Sequence, residues 1–157
     1  MTAGRMKPLQ VRRLTAAERA LAEEMFGAGL DPGRVRLLAL PVWRRAFVAG
    51  PRLMVWPAAD APADFGEAPL GLQAVFVHEL THVWQAQNGV ALILAKIKAG
   101  DSHAAYGYDL TGATEFAALN IEQQAMVVQH AFLAARGANA PHPPETYARA
   151  APGWRRV

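Results

Sequence analysis

Residues 69–89 read PLGLQAVFVHELTHVWQAQNG, and the fold turns on this stretch. Pro69 stands where the first turn of a helix accepts proline, and Gly89 stands just past the end, where a C-terminal cap favours glycine. The spacing predicts one helix from about Pro69 to Asn88. Leu70 to Val77 is apolar almost all round, which marks a helix buried in the centre of a domain. The second half of the same helix nevertheless carries His78, Glu79, Thr81, His82 and Gln85. Polar groups on a buried helix need partners, and that conflict points to a site.

His78-Glu79-Leu80-Thr81-His82 has the form H-E-x-x-H. Positions i and i+4 of a helix share one face, so two imidazoles there reach one zinc ion at about 2.0–2.1 Å. Glu79 lies beside the first histidine, where it can take the proton of a water polarised by the metal. Two unrelated core histidines would leave three ionisable groups in an apolar setting without a reason. A third protein ligand is required. The long metzincin form of the motif needs glycine at 85 and histidine at 88; the chain has Gln85 and Asn88, which excludes that class. Glu122 leads among the remaining candidates, because it opens a helix whose apolar face (Ala125, Val128, Phe132) can dock on the first. Its plainer role would be a first-turn acid on the helix dipole. His130 is the second candidate, with Asp109 and His103 behind it, and His142 is expected in solvent. Tyr106 and Tyr108 are candidates to donate a hydrogen bond to an oxyanion formed by attack on a carbonyl. Trp84 is expected to pack in the core, and the Gln85 amide to hold a neighbouring loop.

Around this helix the chain reads as one α+β domain, mainly helical, with a small antiparallel sheet. Residues 1–13 are expected as an N-terminal arm, 14–137 as the domain, and 138–157, with prolines at 141, 143, 144 and 152, as an extended tail. Thr15-Ala16-Ala17-Glu18 is a capping box that opens a helix to about Phe26. Val35 to Leu40 and Leu53 to Trp56 are strand candidates expected to pair, the second as an edge strand able to align an extended substrate. Ala91 to Ala99 reads as a short helix, and Asn120 with Gln123 caps another that runs to about Arg136.

Composition narrows the chemistry. The 157 residues contain no cysteine, which excludes disulfides, thiolate zinc ligands and cysteine nucleophiles. Sixteen Lys and Arg stand against 13 acids, and no sustained basic run with interleaved aromatics appears, so no nucleic-acid partner is expected. No apolar run reaches the roughly 20 residues of a membrane span, and Met1 to Leu14 lacks the apolar core of a secretory signal. Synthesis in the cytoplasm is therefore expected, with export by a dedicated machine leaving no such mark.

The stretch 76–85, FVHELTHVWQ, followed by NIEQQA at 120–125, resembles the metallopeptidase domain found in Vgr-related proteins. It also looks like the core domain of extracellular contractile injection systems. The Leu14-Thr15 opening, the Phe26-Gly27 turn and the Val35-Arg36-Leu37 strand are similar too, so the resemblance covers most of residues 14–132. It implies a gluzincin-like zincin fold with zinc on His78, His82 and Glu122 and Glu79 as base. His130 stands where an acid is expected after that glutamate, which is a departure from the pattern. The expected function is zinc-dependent peptide hydrolysis on a peptide or protein substrate. The alternative is a metal-binding structural or adaptor module of a secretion apparatus, with apparatus proteins as partners and little turnover.

Overall fold

The computed structural model describes residues 4–100, 103–112 and 114–156. Its sheet has strands β1 (Val11–Arg13), β2 (Arg36–Leu40), β3 (Phe47–Val48) and β4 (Leu53–Pro57), in the order β1-β2-β4-β3. The helices are α1 (Ala16–Phe26), α2 (Leu70–Gln87), α3 (Leu92–Ala99), α4 (His103–Tyr106), α5 (Ile121–Ala135) and α6 (Pro144–Ala150). The architecture is α+β, as expected, but the sheet is mixed rather than antiparallel. β2 and β4 pair in parallel, Arg36 opposite Leu53, while β1 and β3 pair antiparallel at the two edges. Parallel neighbours need a crossover of about a dozen residues. The connection between β2 and β4 supplies it by running out through β3 on the far side of β4. β4 is consequently internal, and among the described residues β3, not the Leu53 stretch, is the edge strand beside the site.

α2 is the centre of the molecule. Every residue from Phe76 to Gln85 is buried, on all faces of the helix, because the sheet covers one side and α5 the other. Phe65 links sheet to helix: its ring meets Trp56 of β4 edge-on at 4.4 Å and stacks on Phe76 of α2 at 4.5 Å. Such pairs add roughly 0.5–1.5 kcal/mol beyond the area they bury. At the other end of α2, Trp84 lies between Phe26 at 6.4 Å and Phe116 at 6.0 Å.

The capping box of α1 forms as read, and it does more than cap. Glu18 is fully buried and accepts from Thr15 N, from Phe65 N and, at 2.8 Å on each oxygen, from the guanidinium of Arg12. One carboxylate thus ties β1, α1 and the loop before α2 together, with its charge paired and its oxygens satisfied. For that reason residues 11–13 join the sheet instead of forming an arm, and Met6 is buried in the core.

The tail also differs from expectation. Pro143 and Pro144 start α6 rather than breaking the chain, since the first helical turn has no use for their missing N–H. Trp154 is buried, with its ring 4.9 Å from Phe116. Ala28 N donates to the carbonyl of Arg156 at 2.8 Å, and Arg156 N donates back to Phe26 O at 3.3 Å. Gly27, with φ +54°, permits this closure: a Cβ there would collide with the Arg156 carbonyl oxygen.

Candidate metal centre

α2 and α5 pack face to face, and the site lies where they meet. On α2, His78 and His82 stand one turn apart with ring centroids 5.0 Å from each other. On α5, Asn120 and Gln123 form a reciprocal capping box, which fixes the first turn and with it Glu122. Glu122 Oε2 lies 3.2 Å from His78 Nε2 and 3.3 Å from His82 Nε2. All three side chains are buried, and one ligand atom from each falls within 4.8 Å of the others. Among the described residues no other group of histidines and acids has this arrangement.

The opposite ring nitrogens are already occupied. His78 Nδ1 is 3.0 Å from Gln129 Oε1, and His82 Nδ1 is 2.8 Å from Gln85 Oε1. A glutamine carbonyl oxygen only accepts, so both Nδ1 atoms donate, and each Nε2 is left to donate to Glu122 when protonated or to offer its lone pair to a metal when it is not. Gln85 is held in turn by donating to the Ile121 carbonyl and to Gln124 Oε1, each at 2.9 Å. Two imidazole Nε2 atoms and a carboxylate oxygen therefore converge, with both rings held from behind by a glutamine. That donor set fits a divalent transition metal with nitrogen and oxygen ligands.

Electrostatics bind the three groups in the same sense. Burial works against ionisation of Glu122, but hydrogen bonds from His78 and His82, together with their charge, outweigh it. They hold the carboxyl well below the usual carboxylate range. Burial likewise works against a proton on His82, and the Glu122 hydrogen bond and the charges of Glu79 and Glu122 overcome it and raise the imidazole. Lys96 of α3 reaches Glu122 Oε1 at 3.4 Å, on the side away from the histidines.

A cavity of about 100 Å³ opens over these groups, lined by His78, Glu79, His82, Glu122, Arg45 and Tyr106 among others. Glu79 is buried, and its Oε2 has no hydrogen-bond partner. The Glu79 side chain lines the cavity, and a buried carboxylate oxygen left without a hydrogen-bond partner is costly and calls for an explanation. Thr81, by contrast, donates to Val77 O within its own helix at 3.0 Å, which answers for its burial. Tyr106 lines the same cavity, and its hydroxyl oxygen accepts from Arg45 Nη2 at 3.4 Å.

Other residues singled out in the sequence fall elsewhere. Tyr108 bonds His130 Nδ1 at 2.7 Å and the Tyr147 hydroxyl at 2.6 Å, outside the cavity lining. His130 thus serves that cluster rather than the triad. Asp109 is bound to Thr111. The His103 side chain lies outside the described residues. His142 is half-buried against Tyr108 and Tyr147 rather than in open solvent. Sequence reasoning missed Gln129, though a signal existed: it lies seven residues after Glu122, two turns along the same helix face. Arg45 and Lys96 carried no local signal.

No protein-family model matches the chain. Over 134 residues it is 32% identical to the type VI secretion system spike protein VgrG2b of Pseudomonas aeruginosa, a match covering 78% of this chain. The matched region spans only 13% of the length of that curated relative. Among solved structures, the effector domain of Pseudomonas aeruginosa VgrG2b superposes with a TM-score of 0.70 at 29% identity. That superposition covers 99% of this chain and 86% of the other. Sequence and structure agree, and the chain is homologous to the effector domain of the secretion-system spike protein VgrG2b.

Proposed function

We propose that this chain is a zinc-dependent peptidase of the gluzincin type, acting as an effector associated with a secretion apparatus. The observation that carries the reading is Glu79: a buried carboxylate with an unpartnered oxygen, facing the cavity that holds His78, His82 and Glu122. A purely structural metal site needs ligands and closes over them; it has no use for a base or an open side. Zinc is the metal that two imidazoles and a carboxylate suit best, and when bound it polarises water and a substrate carbonyl. Glu79 takes the proton of a water held in the cavity and passes it to the departing amine. Tyr106, whose oxygen already accepts from Arg45, turns its O–H toward the oxyanion that forms at the carbonyl. Gln85 and Gln129 keep both imidazoles in the tautomer that binds metal through Nε2.

A second reading is favoured by the relation to a spike protein: a metal-binding module of the secretion apparatus with little turnover. Glu79→Gln separates the two, because it keeps size and polarity while removing basicity. Zinc-loaded wild type and variant are incubated with a peptide library and the products read by mass spectrometry. A peptidase loses turnover by about 10²–10⁴-fold in the variant, with zinc content and melting temperature unchanged. Equal, negligible cleavage by both zinc-loaded proteins would leave the module reading standing.

A further inference from the structure

The cavity over the metal centre continues beyond Glu79. A second hollow shares Arg45, Ala46, His78 and Glu79 with it and adds Val75 and Gln129. A third, of about 430 Å³, shares Ala46 and Val75 with the second and is lined by Arg5, Arg44, Asp60 and Leu72 as well. Ala46 lines all three, so they follow one another along residues 44–46 and form one groove. Its floor is a single stripe of α2: Leu72, Val75, Glu79 and His82 are three or four residues apart and share a helix face. From Pro69 at the outer end to His82 the stripe runs roughly 20 Å at about 1.5 Å per residue, the span of about six residues of extended chain.

The charges along this groove are one-sided. Outside the metal centre its charged lining is Arg5, Arg44 and Arg45 against Asp60 alone. All three arginines are exposed, and among the described residues Arg5 and Arg44 make no salt bridge. Arg12 and Arg136, by contrast, are matched by Glu18 at 2.8 Å and Glu24 at 2.9 Å. Single exposed arginines are ordinary. These differ in standing along one groove that begins at the metal centre, and a guanidinium is shaped to hold a carboxylate by two hydrogen bonds.

From this arrangement we infer that the groove selects acidic polypeptide: it receives the substrate on one side of the bond to be cut and takes aspartate or glutamate side chains there on Arg44 and Arg5, with Arg45 between them and the metal centre. The inference rests on the peptidase reading and adds the charge of the substrate. The lining chooses a polypeptide over other polyanions. Between the cations the floor is Leu72 and Val75, apolar surface that fits the methylenes of a glutamate side chain. Nucleic acid is held in grooves by stacking its bases on aromatic faces. The aromatic residue of the outer hollow, Trp56, is buried in the core and offers no such face.

The test uses the full chain loaded with zinc, as wild type for cleavage and as Glu79→Gln for binding. The probes are decapeptides with the same central residues: one with glutamates on the amino side, one with glutamates on the carboxyl side, and one with glutamine at all those positions. Binding is read at about 0.15 M salt, where exposed charges more than about 8 Å apart are largely screened. One glutamate peptide should bind about 3–30-fold more tightly than the glutamine peptide, as two exposed ion pairs provide, and the other should bind like the glutamine peptide. The double variant Arg5→Gln, Arg44→Gln should abolish that preference, with the melting curve of the parent, since both side chains are exposed. Arg44→Glu should turn the preference toward a peptide with lysines on the same side, and this readout stands should the double variant misfold. Equal binding of the three peptides, equal tightening by both glutamate peptides, or a preference that survives the double variant overturns the groove. So does a thymidine decamer that binds more tightly than any peptide and is lost in the double variant, because the cations would then serve nucleic acid. Cleavage of the glutamine peptide as fast as the glutamate peptides removes the selection and leaves the peptidase. Arginine-dependent binding without cleavage by wild type does the reverse, and neither binding nor cleavage removes both.

Discussion

α5 bears two histidine clusters, one toward α2 and one toward α6. Toward α2, Glu122 meets the Nε2 atoms of His78 and His82 at 3.2 and 3.3 Å, and Gln129 holds His78 from behind. On the other side, the very next residue, His130, meets the Tyr108 hydroxyl at 2.7 Å, which meets Tyr147 at 2.6 Å, with the His142 ring alongside. Both clusters combine imidazoles with acidic side chains, yet their charge states diverge. In the first, a carboxylate kept ionised draws the Nε2 atoms of two imidazoles onto one point. In the second, burial pushes His130 down, and burial with the mutual hydrogen bond pushes Tyr108 up, so the groups stay neutral and pair off. Residue type alone does not make a ligand. Convergence of two ring nitrogens and a carboxylate on one point does, and neutral groups that satisfy one another in pairs make a joint. This second joint helps fasten α6, and with it the end of the chain, to α5.

The widest gap between the clusters should appear in metal affinity. Glu122→Ala should weaken zinc binding by more than about 100-fold, beyond the ~10–100-fold typical of residues behind the ligands. His130→Ala should bind one equivalent as wild type does. Competition against a chromophoric chelator measures both, and similar losses in the two variants would erase the distinction.

A smaller effect sharpens it within the first cluster. Gln129→Leu keeps the bulk but removes the acceptor for His78 Nδ1, and should cost about 10–100-fold in zinc affinity. Nitrogen NMR of the imidazoles should show His78 losing its fixed tautomer while His82, still held by Gln85, keeps its own. Wild-type affinity in this variant would deny Gln129 its role.

The smallest expected effect is a pH dependence of the second cluster. His130 has a folded pKa below the ordinary value of about 6.5, so the unfolded chain binds its proton first as pH falls. The stability it contributes is present above pH ~6.5 and is lost as pH falls through the lower folded value. Metal-free wild type should therefore lose roughly 2 °C more in melting temperature between pH 7 and pH 5.5 than metal-free His130→Asn. Parallel melting curves for the two proteins would show that this joint does not titrate.

What the sequence by itself determined is local. The length of α2, its burial and the presence of two imidazoles on one face follow from caps, apolar run and the i, i+4 spacing, all within residues 69–89. The capping boxes of α1 and α5 were legible for the same reason. Only the tertiary structure decided what meets those imidazoles. Glu122 is 44 residues from His78 and Gln129 is 51, so no periodicity links them, and Glu122 was one candidate among several until α5 docked on α2. The direction of β4 was equally out of reach, because antiparallel and parallel neighbours show the same apolar strands and differ only in the path of the connection. The prolines of the tail read as breaks in sequence. In the fold they open α6, since Trp154 gains a buried place against Phe116 and Gly27 leaves room for the Arg156 carbonyl. Short-range geometry is written in spacing, and long-range contact is chosen by what the packed core leaves open.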